Sequence, residues 1–108
     1  MEIIFHAHHA IISEHMRARA TRALSKFATR VDRPVDAVVR FEGDGPTRRV
    51  EIVFHAARGR RLVAEGHGRY YGPALKEAVT RLLRQLPKKH TPRAKARVVA
   101  RVRALAQA

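Results

Sequence analysis

The clearest structural pattern in the chain is Arg49-Val50-Glu51-Ile52-Val53-Phe54-His55-Ala56. Every second residue from Val50 to Ala56 is apolar, and the residues that alternate with them include Glu51 and His55, with Arg49 just before. This period of two is typical of a β-strand that has one face in a core and the other face in solvent. A sheet built on such a strand needs another layer to cover its apolar face. The rest of the chain must therefore supply that layer.

The neighbouring segments repeat this alternation less cleanly. Residues 37–42 and 62–67 have the same period, and two turns, Gly43-Asp44-Gly45-Pro46 and Arg58-Gly59, separate the three strands. Three consecutive strands joined by short turns predict an antiparallel meander. Residues 2–7 also alternate, and we expect this first strand to complete a four-stranded sheet.

Two amphipathic helices are predicted to cover the sheet. The first spans residues 14–30, with Ser13 as its N-cap and apolar residues recurring at helical spacing. The second opens at Pro73, which suits the first position of a helix, and ends near Leu86 because Pro87 cannot continue it. The predicted fold class is therefore α+β, in the order β-α-β-β-β-α, with both helices on one face of a four-stranded sheet.

The charge balance is strongly one-sided. The 108 residues include 23 Lys or Arg against 9 Asp or Glu, a formal net charge of +14, and no carboxylate follows Glu77. A surface of this kind needs a polyanion, and nucleic acid is the usual one because binding it releases condensed counterions. Each predicted helix carries a basic stripe: Arg19, Arg22, Lys26 and Arg30 on the first, and Arg81, Arg84 and Lys88 on the second. The strands lack aromatic pairs for base stacking, so we expect recognition of RNA backbone and shape.

Metal and enzyme chemistry find little support in the sequence. His6 and His8 would share one face of the first strand, but no neighbouring carboxylate or cysteine completes a metal site. Gly43-Asp44-Gly45 lacks the lysine and the spacing of a phosphate-binding loop. We therefore expect no catalytic residue, no metal, no cofactor and no small-molecule substrate.

The composition also bears on the cellular compartment. The chain contains no cysteine, which fits a reducing cytosol. Its N-terminus has neither a basic region nor a long apolar run, so we expect no signal peptide and no membrane span. These features predict a cytoplasmic protein without a membrane partner.

Two segments resemble a known family. The first comprises His8-His9-Ala10-Ile11-Ile12-Ser13, then Met16-Arg17 and Leu24-Ser25-Lys26-Phe27. The second is Leu75-Lys76-Glu77-Ala78-Val79-Thr80-Arg81-Leu82-Leu83-Arg84-Gln85-Leu86, followed by Lys88-Lys89-His90. Together they resemble the ribosome hibernation-promoting factors, a family that includes ribosome-associated inhibitor A. The resemblance covers roughly the first ninety residues, in the same order.

The resemblance implies a fold, a partner and a mode of action. It implies a domain over residues 1–90 that is similar in shape to double-stranded-RNA-binding domains. Such proteins bind the small ribosomal subunit through 16S rRNA, cover the mRNA and tRNA sites, and idle ribosomes in stress or stationary phase. By position, the resemblance assigns rRNA contacts to Arg17, Lys26, Arg81, Arg84, Lys88 and Lys89. With the stripe of the first helix, the expected rRNA-binding set is Arg17, Arg19, Arg22, Lys26, Arg30, Arg81, Arg84, Lys88 and Lys89.

Two features depart from the family pattern. Arg69-Tyr70-Tyr71-Gly72-Pro73 lacks the acidic residue that usually precedes the second helix, and the aromatic residue is displaced. The chain resembles the short members of the family, which lack the second domain of the long ones, but some short members end in an acidic tail, whereas residues 91–108 form a basic extension in which Thr91-Pro92 could start a third helix. Two alternatives stay open: a general double-stranded-RNA or nucleoid-binding module, and a protein-interaction module that forms a homodimer through its tail.

Overall fold

The computed structural model describes residues 1–43 and 45–87. Its elements in chain order are β1 (Glu2–His8), α1 (Glu14–Ala28), β2 (Pro34–Glu42), β3 (Arg48–Ala56), one 3₁₀ turn (Ala57–Gly59), β4 (Arg61–Gly68) and α2 (Tyr71–Arg84). The predicted α+β order β-α-β-β-β-α is confirmed. The predicted third helix and the domain boundary at residue 90 lie outside the described residues.

The four strands form one mixed sheet in the order β1-β2-β3-β4. β1 runs parallel to β2, whereas β2, β3 and β4 form the predicted antiparallel meander. The register places Phe5, Val39, Ile52 and Ala64 in one row across the sheet. Because alternate residues of a strand share a face, this row and its neighbours two residues away make up the apolar side.

Both helices pack on this apolar side and close a single core. Phe27 of α1 meets Phe54 of β3 edge to face, with ring centroids 4.9 Å apart. The largest fully buried side chains are Phe27, Phe41, Phe54, Leu24, Ile52, Leu82, Val39 and Val50. Full burial of a side chain of this size stabilises the fold by roughly 1.5–3 kcal/mol. The core thus draws on the residues that sequence periodicity placed inward.

The start of α1 agrees with the prediction, whereas its end falls earlier. The Ser13 Oγ accepts a hydrogen bond from the Met16 N–H at 3.1 Å, which caps the helix. The helix ends at Ala28, because the Arg30 N–H bonds the Phe27 carbonyl at 2.9 Å and so tightens the last turn.

The start of α2 corrects the sequence prediction. The helix begins at Tyr71, two residues before Pro73, so the proline occupies the third position rather than the first. Proline is tolerated there because the first N–H groups of a helix have no intrahelical partner. The Tyr71 ring packs edge to face on Phe41, with centroids 5.4 Å apart. This contact anchors the first turn of the helix, which includes Tyr71 and Gly72. Burial raises the pKa of the Tyr71 phenol, while the nearby Arg48 charge opposes the shift.

The backbone of α2 lies directly on β4 at Gly66. This glycine is buried at an inward position, and a Cβ built there would clash with the Ala74 carbonyl oxygen and lie 2.7 Å from the Ala78 nitrogen. A side chain at this position would therefore push the helix away from the sheet. The missing side chain explains why residues 62–67 show a weaker apolar pattern than β3.

We predict that Gly66→Ala lowers the free energy of unfolding by about 1–3 kcal/mol, because the added methyl group overpacks the contact between α2 and β4. Gly68→Ala is the matched control in the same strand, since its Cβ would lie 3.4 Å from the Pro73 Cβ and the Ala74 nitrogen. Urea unfolding followed by circular dichroism measures both variants. Equal stability of the two would contradict the close packing at Gly66.

Candidate nucleic-acid interface

Charges on the open face of the sheet are paired with one another. Arg49 lies at the centre, with its Nη1 2.9 Å from Glu42 Oε1 and its Nη2 2.6 Å from Glu65 Oε1 and 3.5 Å from Glu51 Oε2. The hydrogen bond to Glu65 is the main cause that raises the pKa of Arg49. This arginine is therefore committed to the protein's own carboxylates.

Two further pairs extend this network along the sheet. Arg40 Nη1 lies 3.3 Å from Glu51 Oε1, and His55 Nδ1 lies 2.6 Å from Asp36 Oδ1. Four of the chain's 9 carboxylates are thus drawn onto the open face: Asp36, Glu42, Glu51 and Glu65. Because these carboxylates neutralise their neighbours, the excess positive charge has to lie elsewhere.

A groove between α1 and α2 carries part of that excess, since four Lys or Arg side chains line it. It consists of two adjoining hollows of about 230 and 190 Å³, which share Ala23 and Val79. The residues that line one or both hollows are Arg19, Ala23, Lys26, Phe27, Arg30, Leu75, Lys76, Val79, Thr80 and Leu83. Among the described residues, no carboxylate lines either hollow. We call this feature the α1–α2 groove.

The structure brings three of the predicted α1 residues into this groove. Arg19, Lys26 and Arg30 all line it, as helical spacing predicted. The guanidinium of Arg19 lies over the start of α2, where a Cβ at Gly72 would be 2.9 Å from its Nη1. The glycine therefore gives the arginine room to cross between the helices.

The other two predicted residues of α1 lie apart from the groove. Arg17 turns toward β1, where its guanidinium carbon lies 5.9 Å from the centroid of the Phe5 ring in a cation–π arrangement. Arg22 is exposed on α1 but does not line either hollow. Both side chains add positive charge to the helical side of the domain.

Two side chains of α2, and that of Gln85 directly after it, hold the outer edge of β4. The Glu77 carboxylate accepts from the His67 N–H at 2.7 Å, Arg81 Nη1 donates to the Glu65 carbonyl at 3.0 Å, and Gln85 Nε2 donates to the Val63 carbonyl at 2.8 Å. Four helical residues rise about 6 Å and two strand residues about 6.6 Å, so the two spacings match. We call these residues, Glu77, Arg81 and Gln85, the edge clamp.

The edge clamp gives Arg81 a structural contact that the sequence did not predict. Its Nη2 also lies 3.0 Å from Glu77 Oε2, so the arginine faces β4 rather than the α1–α2 groove. The His67 backbone N–H, followed by the Arg81 charge, lowers the pKa of Glu77. Because the folded-state pKa is lowered, this contribution to stability is present above the ordinary glutamate pKa and is lost as pH falls through the lowered value.

The remaining predicted residues of the second helix divide between two regions. Arg84 lies beside Lys76 and Thr80 in a shallow hollow on the outer side of α2. Lys88 and Lys89 lie outside the described residues. The set of predicted contacts omitted Lys76, although it lines the groove; its spacing of three from Val79 and four from Thr80 would have placed it on this face.

Two further features concern the histidines and the helices of the described residues. His8 and His9 stack with ring centroids 4.4 Å apart. Within residues 1–43 and 45–87, no group of three or more His, Cys, Asp or Glu side chains could hold a metal ion. In the same part of the chain, no helix is long and apolar enough to cross a membrane.

The family model for sigma 54 modulation protein / S30EA ribosomal protein matches residues 3–94. The chain therefore belongs to this family, a family of ribosome-associated modulation proteins rather than of enzymes, as the resemblance implied. No curated protein sequence matches the chain.

Two solved structures share the fold. A ribosomal subunit interface protein from Coxiella burnetii superposes with a TM-score of 0.70 at 15% identity, over 80% of this chain and 93% of that one. The N-terminal domain of Protein Y from Thermus thermophilus gives a TM-score of 0.65 at 22% identity, over 78% of this chain and 90% of that one. At these identities the likeness concerns the fold alone.

We predict that Arg81→Ala lowers the free energy of unfolding by about 0.5–1.5 kcal/mol, because it removes a hydrogen bond to β4 and the ion pair with Glu77. Arg84→Ala, which removes the same charge one turn further on, is expected to leave stability unchanged. The midpoint of urea unfolding compares the two variants. If both have wild-type stability, the edge clamp contributes nothing to holding α2.

Proposed function

We propose that this protein is a translation inhibitor that binds the small ribosomal subunit through the backbone of 16S rRNA. It would act in the cytoplasm, during stress or stationary phase, by covering the mRNA and tRNA sites. The observation that carries the proposal is the α1–α2 groove, a cationic surface without a carboxylate in a member of a ribosome-associated family. The Coxiella neighbour, a ribosomal subunit interface protein, supports the choice of partner.

The chemistry of the groove suits phosphate rather than bases. Lys26 lies in the last turn of α1, and Arg30 lies two residues beyond its end; both line the groove, so each can meet a separate phosphate. The floor between them is formed by Phe27, Val79 and other apolar residues, which supply no hydrogen-bonding groups to read a base edge. Affinity would therefore come from phosphate contacts, and specificity from the shape of the folded rRNA.

The distribution of charge also orients the domain. The open face of the sheet carries its own carboxylates, whose negative charge offsets Arg40 and Arg49. The α1–α2 groove has positive charge without that compensation, so the attraction to rRNA acts mainly on the helical side. In this arrangement the helices face the ribosome and the open sheet face points away from it.

The proposed mode of action needs no chemical step. A domain that occupies the path of mRNA and tRNA inhibits initiation by excluding other ligands, and no bond is made or broken. The binding residues then need only be positioned and charged. Their geometry depends on the packing of α1 and α2, which the core and the edge clamp hold in place.

We predict that Lys26→Glu combined with Lys76→Glu weakens ribosome binding by about 10- to 100-fold and reduces the slope of log affinity against log salt by about two, because two phosphate contacts are lost. Sedimentation with small subunits at several salt concentrations measures both quantities. Arg60→Glu combined with Arg61→Glu makes the same charge change at exposed positions beside the 3₁₀ turn.

This control distinguishes the effect of losing groove contacts from the effect of changing the net charge. The control variant is expected to lose only a few-fold in affinity, since it changes the overall field but removes no groove contact. If the two double variants lose equal affinity, net charge alone explains binding. If wild-type protein binds free double-stranded RNA as tightly as it binds small subunits, the alternative of a general RNA-binding module is favoured.

We predict that stoichiometric protein inhibits translation in vitro, leaves rRNA intact, and is displaced by excess mRNA and initiator tRNA, since mutually exclusive ligands compete by mass action. A competition titration followed by an RNA gel makes the measurement, with chelator added in parallel. Cleaved rRNA would identify an enzyme. Inhibition that is indifferent to mRNA and tRNA would place the protein elsewhere on the ribosome.

A further inference from the structure

The two outer edges of the sheet differ in which groups cover their backbone. The outer edge of β4 is occupied by the edge clamp, which bonds His67, Glu65 and Val63 in turn. The outer edge of β1 has no such cover among the residues that the structure describes. Its sequence, Glu2-Ile3-Ile4-Phe5-His6-Ala7-His8, also lacks the lysine, proline or bulge that protects exposed edges.

The backbone of β1 fixes which groups point outward. The His8 carbonyl accepts a hydrogen bond from the Gly43 N–H at 3.1 Å, so the peptide groups of His8 face β2. Because consecutive residues of a strand direct their N–H and C=O groups to alternate sides, those of Ile3, Phe5 and Ala7 face the open edge. These residues offer donors and acceptors to a further strand.

The side chains of β1 are complementary to a second copy of the same strand. If two copies run antiparallel and cross at Phe5, then Glu2 lies opposite His8 of the other copy at both ends. Ile3 then faces Ala7 of the other copy, and the two Phe5 side chains face each other. A carboxylate opposite an imidazole and an aromatic cross-strand pair both favour strand pairing.

We propose that β1 is a self-association surface through which two copies of this protein join their four-stranded sheets into one continuous sheet. The two-fold axis is perpendicular to the sheet and lies midway between the Phe5 residues of the two copies. The interface is therefore isologous. The outward groups of Ile3, Phe5 and Ala7 then form about six hydrogen bonds between the copies. This register pairs all of β1, whereas an axis through Ile4 would leave two residues at one end unpaired.

The choice of a second copy rests on this complementarity. Residues 88–108 carry seven Lys or Arg and no carboxylate, so they offer His8 no acidic partner and add further positive charge beside Arg17 and Arg40. A second β1 supplies a glutamate opposite a histidine twice. The dimer is nevertheless weak, since the interface is a single strand pair and each copy carries a net charge of +14.

The arrangement has a consequence for the α1–α2 groove. With the axis perpendicular to the sheet, the helices of both copies lie on the same side, and both grooves face the same way. The dimer therefore presents a cationic surface of twice the extent, and neither groove is covered. This inference goes beyond the proposed function and does not depend on it.

The first test is sedimentation equilibrium of the full chain up to ~1 mM at low and high salt. Salt screens the repulsion between two basic copies, so we expect dimerisation to strengthen as salt rises, opposite to the trend for RNA. Ala7→Pro removes an outward N–H without touching the ladder to β2, and we expect it to weaken the dimer about tenfold or more. Ala7→Ser keeps this N–H and is expected to behave as wild type.

The second test fixes the register by exchanging charges. Glu2→Lys is expected to weaken the dimer about three- to tenfold, and adding His8→Glu is expected to restore it. Adding His6→Glu instead should rescue the dimer less, because position 6 is only diagonal to position 2 of the other copy. Circular dichroism confirms that each variant is folded, so loss of the dimer is not confused with unfolding.

Three outcomes would overturn the proposal. A wild-type chain that stays monomeric at ~1 mM in high salt excludes self-association. A dimer that is insensitive to Ala7→Pro lies elsewhere, for example on the C-terminal extension. Rescue by His6→Glu rather than by His8→Glu rejects the register through Phe5. Ribosome binding by the Ala7→Pro variant is measured separately. A failure of the dimer proposal therefore leaves the proposed function standing, and a failure of the proposed function leaves the dimer proposal standing.

Discussion

The close approach of α2 to β4 is the constraint on which the rest of the molecule depends. It requires a glycine at position 66, because any side chain there would meet the backbone of the helix. The edge clamp then fixes the rotation of α2 by matching one helical turn to two strand residues. With that rotation set, Leu75 and Leu82 point into the core, and Lys76 and Thr80 lie where the groove and the outer hollow of α2 adjoin. The cationic groove is thus a consequence of how the helix lies on the sheet.

Segregation of charge gives this packing a surface that suits the proposed function. A net charge of +14 could be spread evenly, yet four carboxylates gather on the open face of the sheet and engage arginine and histidine there. The groove between the helices is left positive. The side of the domain that carries the groove can therefore attract a polyanion, whereas the positive charge on the open sheet face is largely compensated. In the proposed function, this asymmetry would give the domain a preferred orientation on RNA without any base-specific contact.

The sequence predicted the fold closely, because alternation in β3 and helical spacing in α1 are local signals. It missed the start of α2 at Tyr71, since the contact of that ring with Phe41 joins distant parts of the chain. It placed Lys26 on the helix face that lines the groove but did not separate Arg81 from Arg84. That distinction depends on the position of β4 beside α2, which no spacing within the helix reveals. Helical spacing could have placed Lys76 on this face, since it shares a face with Val79 and Thr80.

The central claim is that the α1–α2 groove, and not the open sheet face, meets rRNA. Because the chain has no cysteine, one introduced cysteine can carry a photo-crosslinker at a chosen site. Thr80→Cys places the probe in the groove, and Val63→Cys places it on the open sheet face. The account predicts crosslinks to small-subunit rRNA from position 80 and few or none from position 63. Crosslinks from position 63 alone would contradict it.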